Sequence, residues 1–248
     1  MLLATTMVLA ILVASIGVST FLYVSRWLFA KKWINIAQDP NLNSKLLNGK
    51  TVIITGGNAG LGKSAALDLA KRGSVEIIIA CRNVDQGKQT VKSISESTGN
   101  VNVKFMLLDL ASLDSVRNFV NNFLLNHDKL DCLVCNAGVW VPMDKRLKTE
   151  DGYEIHFGVN HLGHYLLVNL LSKALLKVID SRVVIVSSGL MSSGVVDIDN
   201  IDIFNGRKPD LADKNRPSYA PTGYCDSKLM NGLVVKELAN RYKNITCV

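Results

Sequence analysis

At 248 residues, with 28 lysines and arginines against 21 acidic residues, the chain carries a formal charge of +7 and can bury one full α/β core plus an appendage. No dense basic run with interleaved aromatics accompanies that surplus, which argues against nucleic acid as a partner. Five cysteines without regular spacing exclude the disulfide framework of a small secreted domain.

The first 25 residues contain no Asp, Glu, Lys or Arg. As a helix, residues 2–24 would run about 35 Å at ~1.5 Å per residue, enough to cross a hydrocarbon core of about 30 Å. A cleaved signal peptide would need a basic start, a shorter apolar centre and an A-x-A-like site, and none is present. Arg26, Lys31 and Lys32 follow the run, with Trp27 and Trp33 suited to the interface, which puts the remainder on the cytosolic side. Residues 1–25 therefore read as a transmembrane anchor with the lipid bilayer as partner through residues 2–24. Residues 26–48 read as a basic flank and linker, and 49–248 as the folded domain.

The stretch from Thr51 to Ala70 organises that domain. Thr51, Val52, Ile53, Ile54 and Thr55 form a β-branched run expected of a buried parallel strand. Glycines at 56, 57, 60 and 62 break it, and Lys63 to Ala70 resumes at helical spacing. Strand, glycine turn and helix in that order make an anion site: the backbone can approach closely, and the helix start offers free N–H groups. Two readings fit. Gly57-x4-Gly62-Lys63-Ser64 matches the P-loop of nucleotide hydrolases, and Thr55-Gly56-x3-Gly60-x-Gly62 fits a dinucleotide-binding turn.

Strands and helices alternate from there. Strands are expected at Val75–Ala80, Val103–Leu108, Leu130–Cys135 and Arg182–Ser187, and helices near 84–97, 112–126, 152–178 and Tyr224–Tyr242. That alternation predicts an α/β fold, a doubly wound parallel sheet of Rossmann type, with ligands gathered beyond the carboxyl ends of the strands. Cys132-x-x-Cys135 lies in one strand, where an offset of three sends side chains to opposite faces, so no metal or redox pair is expected. His156, His161 and His164 lack a metal-ligand pattern and are expected to make ordinary packing or polar contacts.

The strand ends narrow the chemistry. After the second strand stands Arg82 where an NAD-selective site places an acid; a basic residue accommodates a 2′-phosphate, so Arg82, assisted by Lys63, points to NADP(H). Asp109 after the third strand suits either an adenine contact or a magnesium ligand. Asn136-Ala137-Gly138 after the fourth would let a cofactor pack closely. Tyr224 and Lys228, four apart, share one helix face. A cation about 5 Å from a phenol favours its ionised form by about 3 kcal/mol at an effective dielectric of about 20, which suits proton exchange with an alcohol or carbonyl oxygen.

Together, Thr55-Gly56-x3-Gly60-x-Gly62, Asn136-Ala137-Gly138, Asn160, Ser188 and Tyr224-x3-Lys228 resemble the short-chain dehydrogenases/reductases. Ala80 to Asn83 and Thr149 to His164 resemble the membrane-anchored retinol dehydrogenase branch more narrowly. The resemblance implies Tyr224 as general acid/base and Lys228 as its electrostatic partner and ribose ligand. It makes Ser188 the donor to the substrate oxygen, with Ser187 as runner-up, and Asn160 the support of a proton-relaying water. Gly56, Gly60, Leu61 and Gly62 would meet the diphosphate, Asp109 and Leu110 the adenine side, and Thr55, Asn136, Ala137 and Gly138 the rest of the cofactor. It implies NADP(H), a lipophilic alcohol or carbonyl substrate (retinoid first, steroid or other lipid next) and an endoplasmic reticulum setting, and it allows a homodimer. Two departures stand out. The 188-to-224 connection is long, with a polar segment 197–221 expected near the substrate mouth. Asn244 to Val248 opens a sixth strand where the family would continue into a substrate lid and a final strand, so the expectation is a fragment or truncated form. The rivals are a cofactor-binding membrane protein with weak or no turnover and, more distantly, a P-loop hydrolase.

Overall fold

The computed structural model of the chain describes residues 47–142, 145, 147–198 and 220–248. At the centre is β1 (Thr51–Thr55), with all five residues buried. A strand hidden on both faces needs no polar alternation, which is why every residue in it is β-branched. A glycine turn leads into α1 (Gly60–Ala70). Then follow β2 (Glu76–Cys81), α2 (Val84–Thr98), β3 (Val103–Leu107), α3 (Leu113–Leu124) and β4 (Cys132–Cys135). Beyond β4 come a π-helical turn (Phe157–Leu162), α4 (Gly163–Leu176), β5 (Ser181–Ile185), a 3-10 turn (Gly189–Ser193), α5 (Thr222–Arg241) and β6 (Ile245–Cys247).

The six strands described form one parallel sheet in the order β3-β2-β1-β4-β5-β6. The order reverses between β1 and β4, where Ile53 lies between Ile78 and Leu133. Chain crossovers leave this sheet in opposite directions there, opening a crevice beyond the carboxyl ends of the two strands.

Alternation along each strand divides the core in two. Ile53, Ile78, Leu133 and Val183 pack with Val116, Phe119 and Phe123 of α3 and Leu167, Leu171 and Leu175 of α4. Val52, Ile54, Ile77 and Ile79 pack on the other face with Ala66 and Ala70 of α1 and Ile94 of α2. Phe119 and Phe123 are 1% and 0% exposed, and each such side chain contributes about 1.5–3 kcal/mol by leaving water. Cys135 belongs to the first layer and Cys132 to the second, on opposite faces. Burial pushes the Cys132 thiol up to about 11 and raises Cys135 further, so neither offers a thiolate at neutral pH.

The helix expected near 152–178 starts later than its hydrophobic pattern suggests. The Glu154 carboxylate accepts the Phe157 amide at 2.8 Å, and the chain passes through the π-helical turn before α4 begins at Gly163. Two close approaches bring this segment in: a Cβ on Gly158 would strike Thr149, and one on Gly163 would lie 2.8 Å from the Leu110 carbonyl. Strand two likewise runs one residue later than expected, and strand four begins two residues later. Among the described residues no helix is long and apolar enough to cross a membrane. The span expected over 2–24 lies outside the described residues, as does most of the loop 197–221.

Candidate active site

Helix starts set the first feature. In α2 the Asn83 side chain accepts from the Gln86 amide, and in α3 Ser112 accepts from the Ser115 amide. At α1 no side chain caps the first turn, and no acidic residue lies in it. Its amides face the crevice, where the helix end carries roughly half a positive charge. Gly56 enters the turn at φ +65° and Gly60 at φ +52°, conformations that suit glycine. Gly62 sits beneath: a Cβ there would lie 2.5 Å from both the Gly56 carbonyl and Asn136 Nδ2.

A cavity of about 500 Å³ opens above this turn. Gly56, Gly60, Arg82, Asp109, Leu110, Asn136, Ala137 and Gly138, all expected from the sequence, line it. Asn58, Asn83, Gln86 and Val159 line it too and were not expected. The exposed Arg82 guanidinium stands at the end of β2, where a second phosphate beside the adenosine would need a cation. Leu61 is not among the residues lining the cavity; it stands in the first turn of α1 with its side chain 77% exposed. The Ser64 hydroxyl donates back to the Gly60 carbonyl at 3.1 Å, turned along its own helix rather than toward a bound ion. The cradle without Cβ atoms and the uncapped helix fit a diphosphate bridge, and Arg82 fits a third phosphate.

Thr55 does not line the cavity; it holds the loop that does. Its hydroxyl oxygen accepts the amides of Asn136 and Ala137, both at 3.0 Å, and Asn136 Nδ2 donates to the Thr55 carbonyl at 2.9 Å. The same hydroxyl lies 2.9 Å from Nε2 of His164, a fully buried ring. His164 Nδ1 faces the Asn160 carbonyl at 3.2 Å, an acceptor only, so Nδ1 carries the proton and Nε2 accepts from Thr55. Burial holds His164 down to about 4, with Lys228 and His161 adding repulsion, so the ring is neutral at pH 7. The residue pattern does not name this pairing, because its ends are 109 positions apart.

Asn160, 0% exposed, sits in the π-helical turn and ties it to the loop at Val139 and to α5. Its Oδ1 accepts the Val139 amide at 2.7 Å, and its Nδ2 reaches the Val139 carbonyl and Ser227 Oγ, both at 3.2 Å. Its carbonyl also accepts from Asn231 Nδ2 at 3.1 Å, and Asn231 Oδ1 meets His161 at 3.1 Å. Such π turns inside helices recur at functional sites because they free a carbonyl for other donors.

Tyr224 and Lys228 lie one turn apart on α5, with the Lys228 Nζ 5.6 Å from the centre of the Tyr224 ring. Lys228 is 4% exposed, and its ammonium donates to the Val186 carbonyl at 2.8 Å. Burial lowers its pKa from the usual amine value. A Cβ on Gly138 would lie 3.7 Å from that Nζ and 3.3 Å from Asn160 Oδ1, so cavity edge, ammonium and amide converge there. The two serines part ways after β5. Ser187 Oγ donates to the Lys228 carbonyl at 2.8 Å, tying the strand end to α5, while Ser188 Oγ accepts the Leu190 amide at 3.2 Å and starts the 3-10 turn. Ser187 is thus committed to the scaffold.

Residues 50–198 match the family model described as short chain dehydrogenase. The chain is 42% identical over 193 residues to human retinol dehydrogenase 13, covering 78% of this chain and 54% of that protein. It is also 42% identical over 197 residues to mouse retinol dehydrogenase 11, covering 79% and 58% respectively. The chain thus spans somewhat over half the length of the curated relatives it matches. A crystal structure of a short chain dehydrogenase from Escherichia coli CFT073 complexed with NADPH superposes with a TM-score of 0.64 at 22% identity, covering 82% of this chain and 76% of that one. That likeness speaks for the fold.

Proposed function

The chain belongs to the short-chain dehydrogenases, and from that premise we propose an NADP(H)-dependent oxidoreductase acting on a lipophilic alcohol/carbonyl pair, with retinol and retinal as first candidates. One observation carries the reading: Lys228 Nζ stands 5.6 Å from the Tyr224 ring on the same helix face, and a Cβ on the cavity-lining Gly138 would lie 3.7 Å from that ammonium. That pair has a use in proton exchange with an oxygen and none in nucleotide hydrolysis. Arg82 and the NADPH held by the Escherichia coli neighbour support NADP(H). The names of the two relatives support a retinoid.

When bound, the nicotinamide supplies or accepts the hydride. The Tyr224 hydroxyl gives its proton to the substrate oxygen in reduction and takes one back in oxidation. The Lys228 ammonium, held by the Val186 carbonyl, favours negative charge on the phenol oxygen during that exchange. Ser188 donates to the substrate oxygen. Asn160 anchors the loop at Val139 and the α5 turn at Ser227, and it would support a water that relays protons through Lys228. The apolar run 2–24 supports a membrane tether that gives the cytosolic domain 49–248 access to bilayer-dissolved substrates, the endoplasmic reticulum being the first membrane to examine.

The test is NADPH-dependent reduction of retinal by membranes carrying the protein, with NADPH binding measured on the same preparation. Tyr224→Phe should abolish turnover and leave NADPH bound; undiminished turnover would remove Tyr224 from its role. Binding without turnover in the unaltered chain would favour a cofactor-binding protein instead.

A further inference from the structure

Beyond Gly138 the chain reaches Trp140, an indole 45% exposed. A large ring half in solvent loses rotamer freedom when anything binds it, unless the backbone already fixes it. Here both flanks are fastened. Val139 exchanges two hydrogen bonds with the Asn160 amide, at 2.7 and 3.2 Å. The Val141 amide donates to Nε2 of His156 at 3.0 Å. Because Nε2 accepts, Nδ1 carries the proton and donates to Glu154 Oε1 at 2.7 Å. Both residues of this pair are nearly closed to solvent, with side chains 5% and 16% exposed. The same carboxylate lies against the first turn of α5, where a Cβ on Gly223 would stand 2.8 Å from Glu154 Oε2. One acid–imidazole pair therefore holds the Trp140 loop and packs closely against the residue preceding Tyr224.

The outcome is an aromatic corner. The Trp140 and Tyr224 ring centres are 4.5 Å apart with planes tilted by 59°, and the His156 ring meets Tyr224 edge-on at 6.1 Å. The indole leans on the phenol, and close to half of its surface stays open to solvent beside it. An open indole face rewards a flat, polarisable, apolar surface laid against it and offers nothing to a small hydrated one.

The structure assigns Trp140 the wall that selects substrate beside Tyr224, with His156 and Glu154 as its positioning residues: it favours substrates whose reacting carbon adjoins a flat, conjugated apolar group. This rests on the dehydrogenase reading of Tyr224.

The test compares kcat/KM for retinal and for glyceraldehyde in the full chain, unaltered and as Trp140→Ala, Trp140→Phe and His156→Ala. The retinal-to-glyceraldehyde ratio should fall about tenfold or more in Trp140→Ala, chiefly through KM for retinal. Trp140→Phe should recover most of it, and His156→Ala should lose part of it. An unchanged ratio in Trp140→Ala overturns the assignment. A second measurement does not depend on turnover. With Trp27 and Trp33 replaced by Phe, Trp140 is the one remaining indole of the three in the chain. Retinal should then quench its fluorescence saturably, and glyceraldehyde should not. Turnover without that quenching overturns the wall and leaves the dehydrogenase standing. Quenching without turnover of either aldehyde overturns the dehydrogenase and leaves the wall, and absence of both overturns both.

Discussion

Acidification isolates the strut beneath the glycine turn, because His164 is buried there without charge. Its ring is held at about 4 against an ordinary 6.5, with burial as the largest cause. Between those values the unfolded chain takes up a proton that the folded chain refuses. The stabilisation is therefore present in full above pH 6.5 and is lost as pH falls toward 4. At 1.36 kcal/mol for each tenfold, the gap from 6.5 to about 4 amounts to about 3 kcal/mol. Other groups titrate over the same range, including Glu76, which Lys104 and His127 hold below the usual carboxylate value against the opposing effect of burial. A reference variant removes them: His164→Gln keeps a neutral, hydrogen-bonding side chain at every pH. Urea unfolding of both proteins, followed by tryptophan fluorescence from pH 7.5 to 4.5, gives the difference directly. The unaltered chain should lead at pH 7.5, and that lead should shrink by most of the 3 kcal/mol by pH 4.5. A difference that stays flat across this range would mean that His164 is protonated in the fold, and the tautomer deduced from Thr55 and Asn160 would be wrong.

Four substitutions test the site in other ways. Gly62→Ala places a methyl 2.5 Å from the Gly56 carbonyl and Asn136 Nδ2; overpacking of about 1–3 kcal/mol should weaken NADPH binding about tenfold or more in a fluorescence titration. Arg82→Asp replaces a cation at the cavity with an anion, so the preference for NADPH over NADH should fall about tenfold or more, and an unchanged preference would show that the 2′-phosphate is read elsewhere. Ser188→Ala should lower kcat by about 10²–10³, as loss of a donor to a developing oxyanion does. Ser187→Ala should instead cost about 1 kcal/mol of stability through the freed Lys228 carbonyl, seen in urea midpoints, with kcat much less affected; the reverse pattern would exchange the two assignments.

What the residues disclosed in advance, and what they hid, follows from the range of the interactions involved. The buried strand Thr51–Thr55, the glycine turn and the Tyr224–Lys228 face are local: β-branching, absence of Cβ and a spacing of four act within a few positions, so they are legible without a fold. The same periodicity could not place the start of α4. An apolar stripe reads alike through an α-helix and through a π turn, and only the fit of Gly158 against Thr149 and Gly163 against Leu110 distinguishes them. His164 carried a faint signal, since a polar ring on a face with Leu167, Val168 and Leu171 has to find a partner inside. Its partner Thr55 could not be named, because the contact exists only once β1 and α4 are packed. Ser187 and Ser188 show the same limit at closer quarters: alternation says that one points inward, and only the Lys228 carbonyl at 2.8 Å says which is already occupied. The hidden contacts join parts far apart in the chain, whereas the legible ones are set by near neighbours in sequence. A glycine or a tyrosine can be recognised by what it would do to a ligand, but a strut can be recognised only by the two pieces it joins, and His164 joins Thr55 at the end of β1 to the Asn160 carbonyl in the π-helical turn.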